Sequence, residues 1–253
     1  MEINLKGKVA LVTGATGDLG RVMVRTLASC GADVIIHYIR KTDKAAELTE
    51  EVLSMGQKAM AVQADITSQP SITTMRNLLM QENMMPDIVV ANAVSSYTWT
   101  SVLEQSADDF ISQFQSNVMQ SVYLSKAFIP NMIEKKAGKY IAINTECAIL
   151  SDPYSSAYAS AKRGLDGLMR VLAKEVGEHQ ITVNQIAPGW TISDRDRQGE
   201  TPDQLPYINR VPMKRRGTDQ EIANVVAFLA SDLSSFIHGA FIPVNGGMAL
   251  PGI

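Results

Sequence analysis

The chain has 253 residues, 45% of them hydrophobic, and a net charge of −3, enough apolar content for the core of one large α/β domain and no basic run to draw it to nucleic acid or a membrane. Its two cysteines, Cys30 and Cys147, are far apart and lack metal-ligand spacing, which argues against a disulfide framework or a metal site and for a reducing cytoplasm. With no signal-peptide h-region and no apolar run near the ~18 residues of a membrane span, the expectation is a soluble cytoplasmic protein acting on small molecules.

The first apolar run, 9–12, ends in Thr-Gly-Ala-Thr-Gly-Asp-Leu-Gly at 13–20, after which Leu19, Met23 and Leu27 recur at helical spacing. That pattern predicts strand, glycine turn and helix. Glycines let the backbone approach a ligand, and a helix N-terminus offers N–H groups to a pyrophosphate, so a dinucleotide is the implied ligand. A second strand, 34–38, ends at the distance where dinucleotide-binding folds read the adenosine ribose. It continues Tyr38-Ile39-Arg40-Lys41, with no acid to repel a 2′-phosphate and two cations to pair with one, so NADP(H) is favoured over NAD(H).

Helix signals over 42–55, a strand at 59–64, a helix after Pro70 and a strand at 88–91 follow. The stretch 107–136 is helix-patterned despite Pro130, and 140–143 is a short strand. A helix over 155–176 and a strand at 182–186 lead into a proline-bearing, charge-dense section, which suits a mobile loop with short helical pieces and is expected to form a substrate lid over 190–212. A helix over 219–230 and a strand at 241–244 close the chain. The alternation predicts an α/β fold, a doubly wound parallel sheet of Rossmann type in a single domain over 1–253, with ligands at the C-terminal ends of the strands.

The chemistry is expected between 154 and 164. Tyr158 and Lys162 stand four apart on a predicted helix, so they share a face. A cation near a phenol lowers its pKa from about 10, which would make Tyr158 a working acid or base. The spacing arises by accident in roughly one such chain in three, so its force depends on context. Tyr154 has no lysine four residues on and reads as a pocket or helix-start residue.

Context comes from a resemblance. Thr13-Gly14 with Gly20, Asp65-Ile66, Asn92-Ala93, Asn117, Tyr158 with Lys162, Asn184, Pro188-Gly189 and the run Val244-Asn245-Gly246-Gly247 resemble the short-chain dehydrogenase/reductase family, in order and over essentially the whole chain. The run from Arg210 to Gly217, with Glu221 and Phe228, looks most like the 3-oxoacyl-(acyl carrier protein) reductase branch, a fatty-acid biosynthetic activity. The resemblance implies that Tyr158 exchanges a proton with the substrate oxygen. Lys162 would hold the nicotinamide ribose and depress the tyrosine pKa, and Asn117 would anchor a water linking Lys162 to solvent. It implies cofactor contacts from Gly14, Thr16, Gly17, Asp18, Leu19 and Gly20 in the turn. Further contacts are implied from Tyr38, Arg40 and Lys41, from Asp65 and Ile66 toward the adenine, and from Asn92 and Ala93. Pro188, Gly189, Thr191 and Ser193 would meet the carboxamide side. A homotetramer is also implied, and the apolar positions over 110–132 look exposed enough for its interface.

Four positions depart from the family pattern. Thr145 stands where a substrate-binding serine is usual; it keeps a hydroxyl but restricts χ1 and crowds the pocket. Asp18 replaces a turn glycine, and its charge is unfavourable near a pyrophosphate unless it points away or caps the helix. Val94 puts a β-branched side chain where glycine is usual, and Ser193 replaces a threonine. The leading expectation is an NADP(H)-dependent carbonyl reductase or alcohol dehydrogenase, with a 3-oxoacyl thioester as substrate and Lys135, Lys136 and Arg163 as docking cations for an acyl carrier protein. The alternatives are a sugar, polyol or other secondary alcohol as substrate, or a non-catalytic NADP(H)-binding sensor.

Overall fold

The computed structural model describes residues 2–199 and 203–250. Seven parallel strands form one sheet in the order β3-β2-β1-β4-β5-β6-β7. They are β1 (Val9–Val12), β2 (Asp33–Tyr38), β3 (Ala59–Gln63), β4 (Ile88–Ala91), β5 (Gly138–Ile143), β6 (Ile181–Pro188) and β7 (Phe241–Val244). The strands coincide with short apolar runs of the sequence because a parallel sheet covered on both faces buries its central strands on both sides, while the edge strands β3 and β7 are only half-buried. β6 is buried from end to end. The expected bounds differ slightly at four strands: the ladder also takes in Asp33, Gly138, Lys139, Ile181, Ala187 and Pro188, and β3 stops at Gln63, one residue short.

Alternate strand residues feed two cores. Ala10, Val12, Val34, Ile36 and Val90 pack with α1 (Asp18–Ser29), α2 (Thr42–Ser54) and α10 (Asp219–Ala230). Leu11, Ile35, Val89 and Tyr140 pack on the other face with α3 (Gln69–Gln81), α5 (Gln120–Lys135) and α7 (Ser156–Val176). Helix starts follow their local chemistry. Ser68 caps α3 with Pro70 in the first turn, and Thr218 with Glu221 forms a capping box on α10.

The predicted helix over 107–136 is a continuous run of three pieces: α4 (Ala107–Phe114), a π-helical turn (Gln115–Met119) and α5. Pro130 is tolerated inside α5 because it sits on the exposed side, where water can take the freed carbonyl. The expectation of exposed apolar positions over 110–132 fails for most of the stretch. Leu124, Phe128, Ile129 and Met132 are core residues under the sheet, while Ile111 and Phe114 remain exposed. Among the described residues no helix is long and apolar enough to cross a membrane. The predicted lid contains α8 (Asp194–Arg197) and α9 (Leu205–Arg210); residues 200–202 of that stretch lie outside the described residues.

Candidate active site

A cleft of about 750 Å³ opens at the C-terminal ends of the strands, where the strand order reverses between β1 and β4. Its floor begins at the glycine turn. Gly14 has φ of +63°, and a Cβ there would stand 3.0 Å from the Cα of Ala93; a Cβ on Gly20 would stand 2.2 Å from the carbonyl oxygen of Gly14. Only glycine fits either place. Gly17 is the N-cap of α1 without a side-chain cap, so the first N–H groups of a twelve-residue helix point into the cleft region lined by Thr16, Gly17, Asp18 and Leu19. Asp18 is half exposed and pairs with Arg21 at 3.4 Å, a turn along α1, which answers the concern about its charge by directing it along the helix.

The turn is held by Thr13 and Asn92 together with two residues that had no role in the sequence reading, His37 and Gln120. His37, buried on β2, accepts the Gly14 N–H at Nδ1 (3.0 Å), so its Nε2 carries the proton and donates to the carbonyl of Ala64 (3.0 Å). Burial pushes its pKa down to about 4, and the ring stays neutral near pH 7. The Thr13 hydroxyl donates to Oε1 of Gln120 (2.8 Å) and accepts from the Asn92 and Ala93 N–H groups (2.9 and 3.0 Å). Asn92 spends its amide on the carbonyl of Thr13 (2.9 Å). It therefore ties β4 to the turn while lining the cleft.

At the far wall, Tyr38, Arg40 and Lys41 line the cleft with Asp65 and Ile66. Arg40 and Lys41 are exposed and form no ion pair among the described residues. Asp65 accepts from the N–H and hydroxyl of Thr67 through Oδ1 (2.8 and 2.7 Å), a turn that fixes its carboxylate at the mouth. Val94 is partly exposed on the cleft wall.

At the near end, β5 delivers Thr145 and α7 delivers Tyr158 and Lys162, all three lining the cleft. Tyr154 has φ of +70° and is exposed, a turn residue ahead of α7. The Lys162 ammonium is buried, donates to the carbonyl of Ile143 (2.6 Å) and lies 5.5 Å from the Tyr158 ring centroid. The expectation that it lowers the tyrosine pKa is not met in this arrangement. Burial pushes the Tyr158 phenol up, with the Thr145 side chain working the other way, and burial pushes Lys162 down to about 7. Desolvation outweighs the pair's mutual attraction because the ammonium is engaged by a carbonyl and not by the phenol.

Asn117 sits in the π-helical turn, buried and outside the cleft lining. Its amide donates to the carbonyl of Gln113 (2.8 Å), while its Oδ1 is buried with no hydrogen-bond partner among the described residues. The extra residue of the π turn rotates this side chain out of register with its helical neighbours, a displacement common where helices carry function.

The roof comes from the segment after β6. Pro188, Gly189 and Thr191 line the cleft, but Ser193 does not. Its N–H and hydroxyl both donate to Asp196 (2.6 and 2.8 Å), so Ser193 opens α8 and is not free to reach a carboxamide. Arg216, buried, stacks 4.2 Å over Trp190, donates to the Trp190 and Thr191 carbonyls and pairs with Asp196. The Tyr207 hydroxyl on α9 donates to Oε1 of Glu146 (2.7 Å) and accepts the Trp190 N–H (2.9 Å). Glu146 is buried, its other oxygen has no hydrogen-bond partner among the described residues, and burial raises its pKa. Of the expected docking cations, Lys135 pairs with Asp87 ahead of β4 (2.8 Å) and Lys136 ends α5. Both sit at the N-terminal ends of the strands, away from the cleft; Arg163 lies in a shallow second hollow with Tyr154 and Val102.

Comparison with known proteins agrees with this layout. Residues 14–249 match the family model described as enoyl-(acyl carrier protein) reductase, of the short-chain dehydrogenase/reductase group. The chain is 35% identical to the 3-oxoacyl-(acyl carrier protein) reductases of Pseudomonas aeruginosa and Escherichia coli K12, over 97% of its own length and 99% of theirs. Among solved structures, a protein of Agrobacterium tumefaciens described as a gluconate dehydrogenase superposes with a TM-score of 0.92 at 29% identity, covering 98% of both chains. A 7α-hydroxysteroid dehydrogenase in complex with NADH and 7-oxoglycochenodeoxycholic acid superposes with a TM-score of 0.90 at 29% identity, covering 99% of this chain and 97% of that one. The chain belongs to the short-chain dehydrogenase/reductase family of oxidoreductases.

Proposed function

We propose that the protein is an NADP(H)-dependent carbonyl reductase, or secondary-alcohol dehydrogenase in reverse, whose main substrate is a 3-oxoacyl thioester. The observation that carries the reading is one cleft with a glycine turn and two unpaired cations at one end and Thr145, Tyr158 and Lys162 at the other. The residues fit a dinucleotide. Gly14 and Gly20 leave no room for side chains at the turn, the open N-terminus of α1 suits a pyrophosphate, and Arg40 with Lys41 suits a 2′-phosphate. When bound, the nicotinamide supplies or accepts the hydride.

The chain's own groups handle the substrate oxygen and its proton. The Thr145 hydroxyl donates to the carbonyl oxygen and holds it beside Tyr158. As charge builds on that oxygen, Tyr158 delivers its phenolic proton, and the alcohol forms. Lys162 stands behind the phenol and returns a proton, and the free Oδ1 of Asn117 holds the water that reaches solvent. A low Lys162 pKa matches this shuttling role. Two unpaired thiols, Cys30 and Cys147, suit a cytoplasmic setting, and the reading includes a homotetramer. The 35% identity to 3-oxoacyl reductases favours the thioester over a sugar or polyol.

The test is a substrate screen with purified protein, NADPH and NADH, set beside Tyr158→Phe. Turnover of 3-oxoacyl thioesters with NADPH is expected, with a loss of at least about 10³-fold in Tyr158→Phe and unchanged NADPH binding by fluorescence. NADPH that binds and is never consumed, with no effect of Tyr158→Phe, would make the protein a sensor. Better use of NADH would remove Arg40 and Lys41 from the argument.

A further inference from the structure

The loop that leaves β4 carries a second phenol to the reacting pair. Tyr97 stacks on Tyr158 with ring centroids 5.3 Å apart and planes 20° from parallel. Trp99 completes the group, 5.2 Å from Tyr97 and 6.2 Å from Tyr158. Stacking accounts for the ring of Tyr97 but not for its hydroxyl, which is buried and has no hydrogen-bond partner among the described residues. A buried donor left unpaired is costly when a small turn of an otherwise exposed loop would hydrate it. Burial keeps this phenol protonated, and the groups that most oppose its ionisation after burial are Tyr158 and Cys147. Cys147 in turn donates its N–H to the Thr145 hydroxyl at 3.2 Å. The neutral hydroxyls of Thr145 and Tyr158 line the cleft, and the stacked ring of Tyr97 brings a third to the wall directly behind Tyr158, just outside that lining.

Two of them suffice for one carbonyl oxygen. The third fits a second acceptor carried a short way from the first, and a 3-oxoacyl thioester has that layout, its oxo and thioester carbonyls separated by one methylene. We propose that Tyr97 is a specificity-determining residue whose hydroxyl donates to the thioester carbonyl and so selects 1,3-dicarbonyl substrates over ketones with a single carbonyl. The inference rests on the reading of the site as a 3-oxoacyl thioester reductase. Hydride transfer places charge on the 3-oxo oxygen, so the contact from Tyr97 is much the same before and during the reaction. Its loss belongs in KM and not in kcat.

Tyr97→Phe keeps the ring and removes only the hydroxyl. Steady-state rates with NADPH are compared for wild type and variant on acetoacetyl-coenzyme A and on cyclohexanone, which has no second carbonyl. The expected result is a KM for the thioester raised about tenfold with kcat unchanged, and unaltered kinetics on cyclohexanone. Equal losses on both substrates would show that Tyr97 acts only by holding Tyr158, and no change on the thioester would show an idle hydroxyl; either overturns the proposal and leaves the thioester reading standing. A wild-type protein that does not reduce the thioester, whatever it does with cyclohexanone, overturns that reading and the role of Tyr97 together.

Discussion

His37 anchors the glycine turn from below, and its neutrality makes that anchor pH-dependent. In the unfolded chain a histidine takes up its proton near pH 6.5, while in the fold burial holds His37 to about 4. Between those values the unfolded state binds more protons, so the stability present above pH 6.5 is lost as the pH falls toward 4, by up to about 3 kcal/mol. Urea midpoints measured across that window should fall, and His37→Gln should flatten the fall; a wild type with constant stability from pH 7 to 4 would refute a buried neutral ring. Residues of this kind were invisible in the sequence. His37 lies in an apolar strand and Gln120 in a long helix, and neither position has a spacing that marks it. Tyr158 and Lys162 were expected on one helix face from their spacing and Thr145 beside them from the family resemblance, and all three line the cleft. Ser193 was misplaced because its partner, Asp196, is a local cap that motif matching does not weigh.

At the level of elements, one hydroxyl bridges α9, the roof backbone and the segment that follows β5. Tyr207 on α9 holds both Glu146, next to Thr145, and the backbone of Trp190. Tyr207→Phe leaves a buried carboxyl and an N–H without that partner, at a cost of about 1–3 kcal/mol. The expected outcome is faster proteolysis within 203–213 and a KM raised several-fold, with kcat little changed; unaltered proteolysis and KM would show that the Arg210–Asp152 pair and the Tyr207–Trp190 ring contact suffice to hold α9. The helix over 107–136 was legible from its apolar period even across Pro130. Its π turn was not, because one inserted residue shifts the period by less than sequence periodicity can resolve. That single residue is what sets Asn117 apart.

For the whole molecule, the fold was legible because each strand is built on a short apolar run, buried in the middle of the sheet and half-buried at its edges, and the crossovers are helical. Quaternary structure was read less well. The apolar residues counted over 110–132 mostly fill the core, since amphipathic and fully buried helices share much of one pattern. The surface still offers Ile111 and Phe114 on α4, Val171 on α7 and a fully exposed Phe236 ahead of β7. A homotetramer is expected to cover them, so light scattering at micromolar concentration should give the mass of four chains, and a monomer mass would sink the assembly. The strand order carries a kinetic consequence as well. β1 pairs with β4 through Ala10 and Ile88, a pairing that closes over all of β2 and β3, which lie between them in the chain and outside them in the sheet. The glycine turn and the rim that bears Thr145 thus come to face each other only after this long-range closure, which makes the cleft a late product of folding. Recovery of cofactor binding during refolding should accordingly trail the return of helix and strand signal.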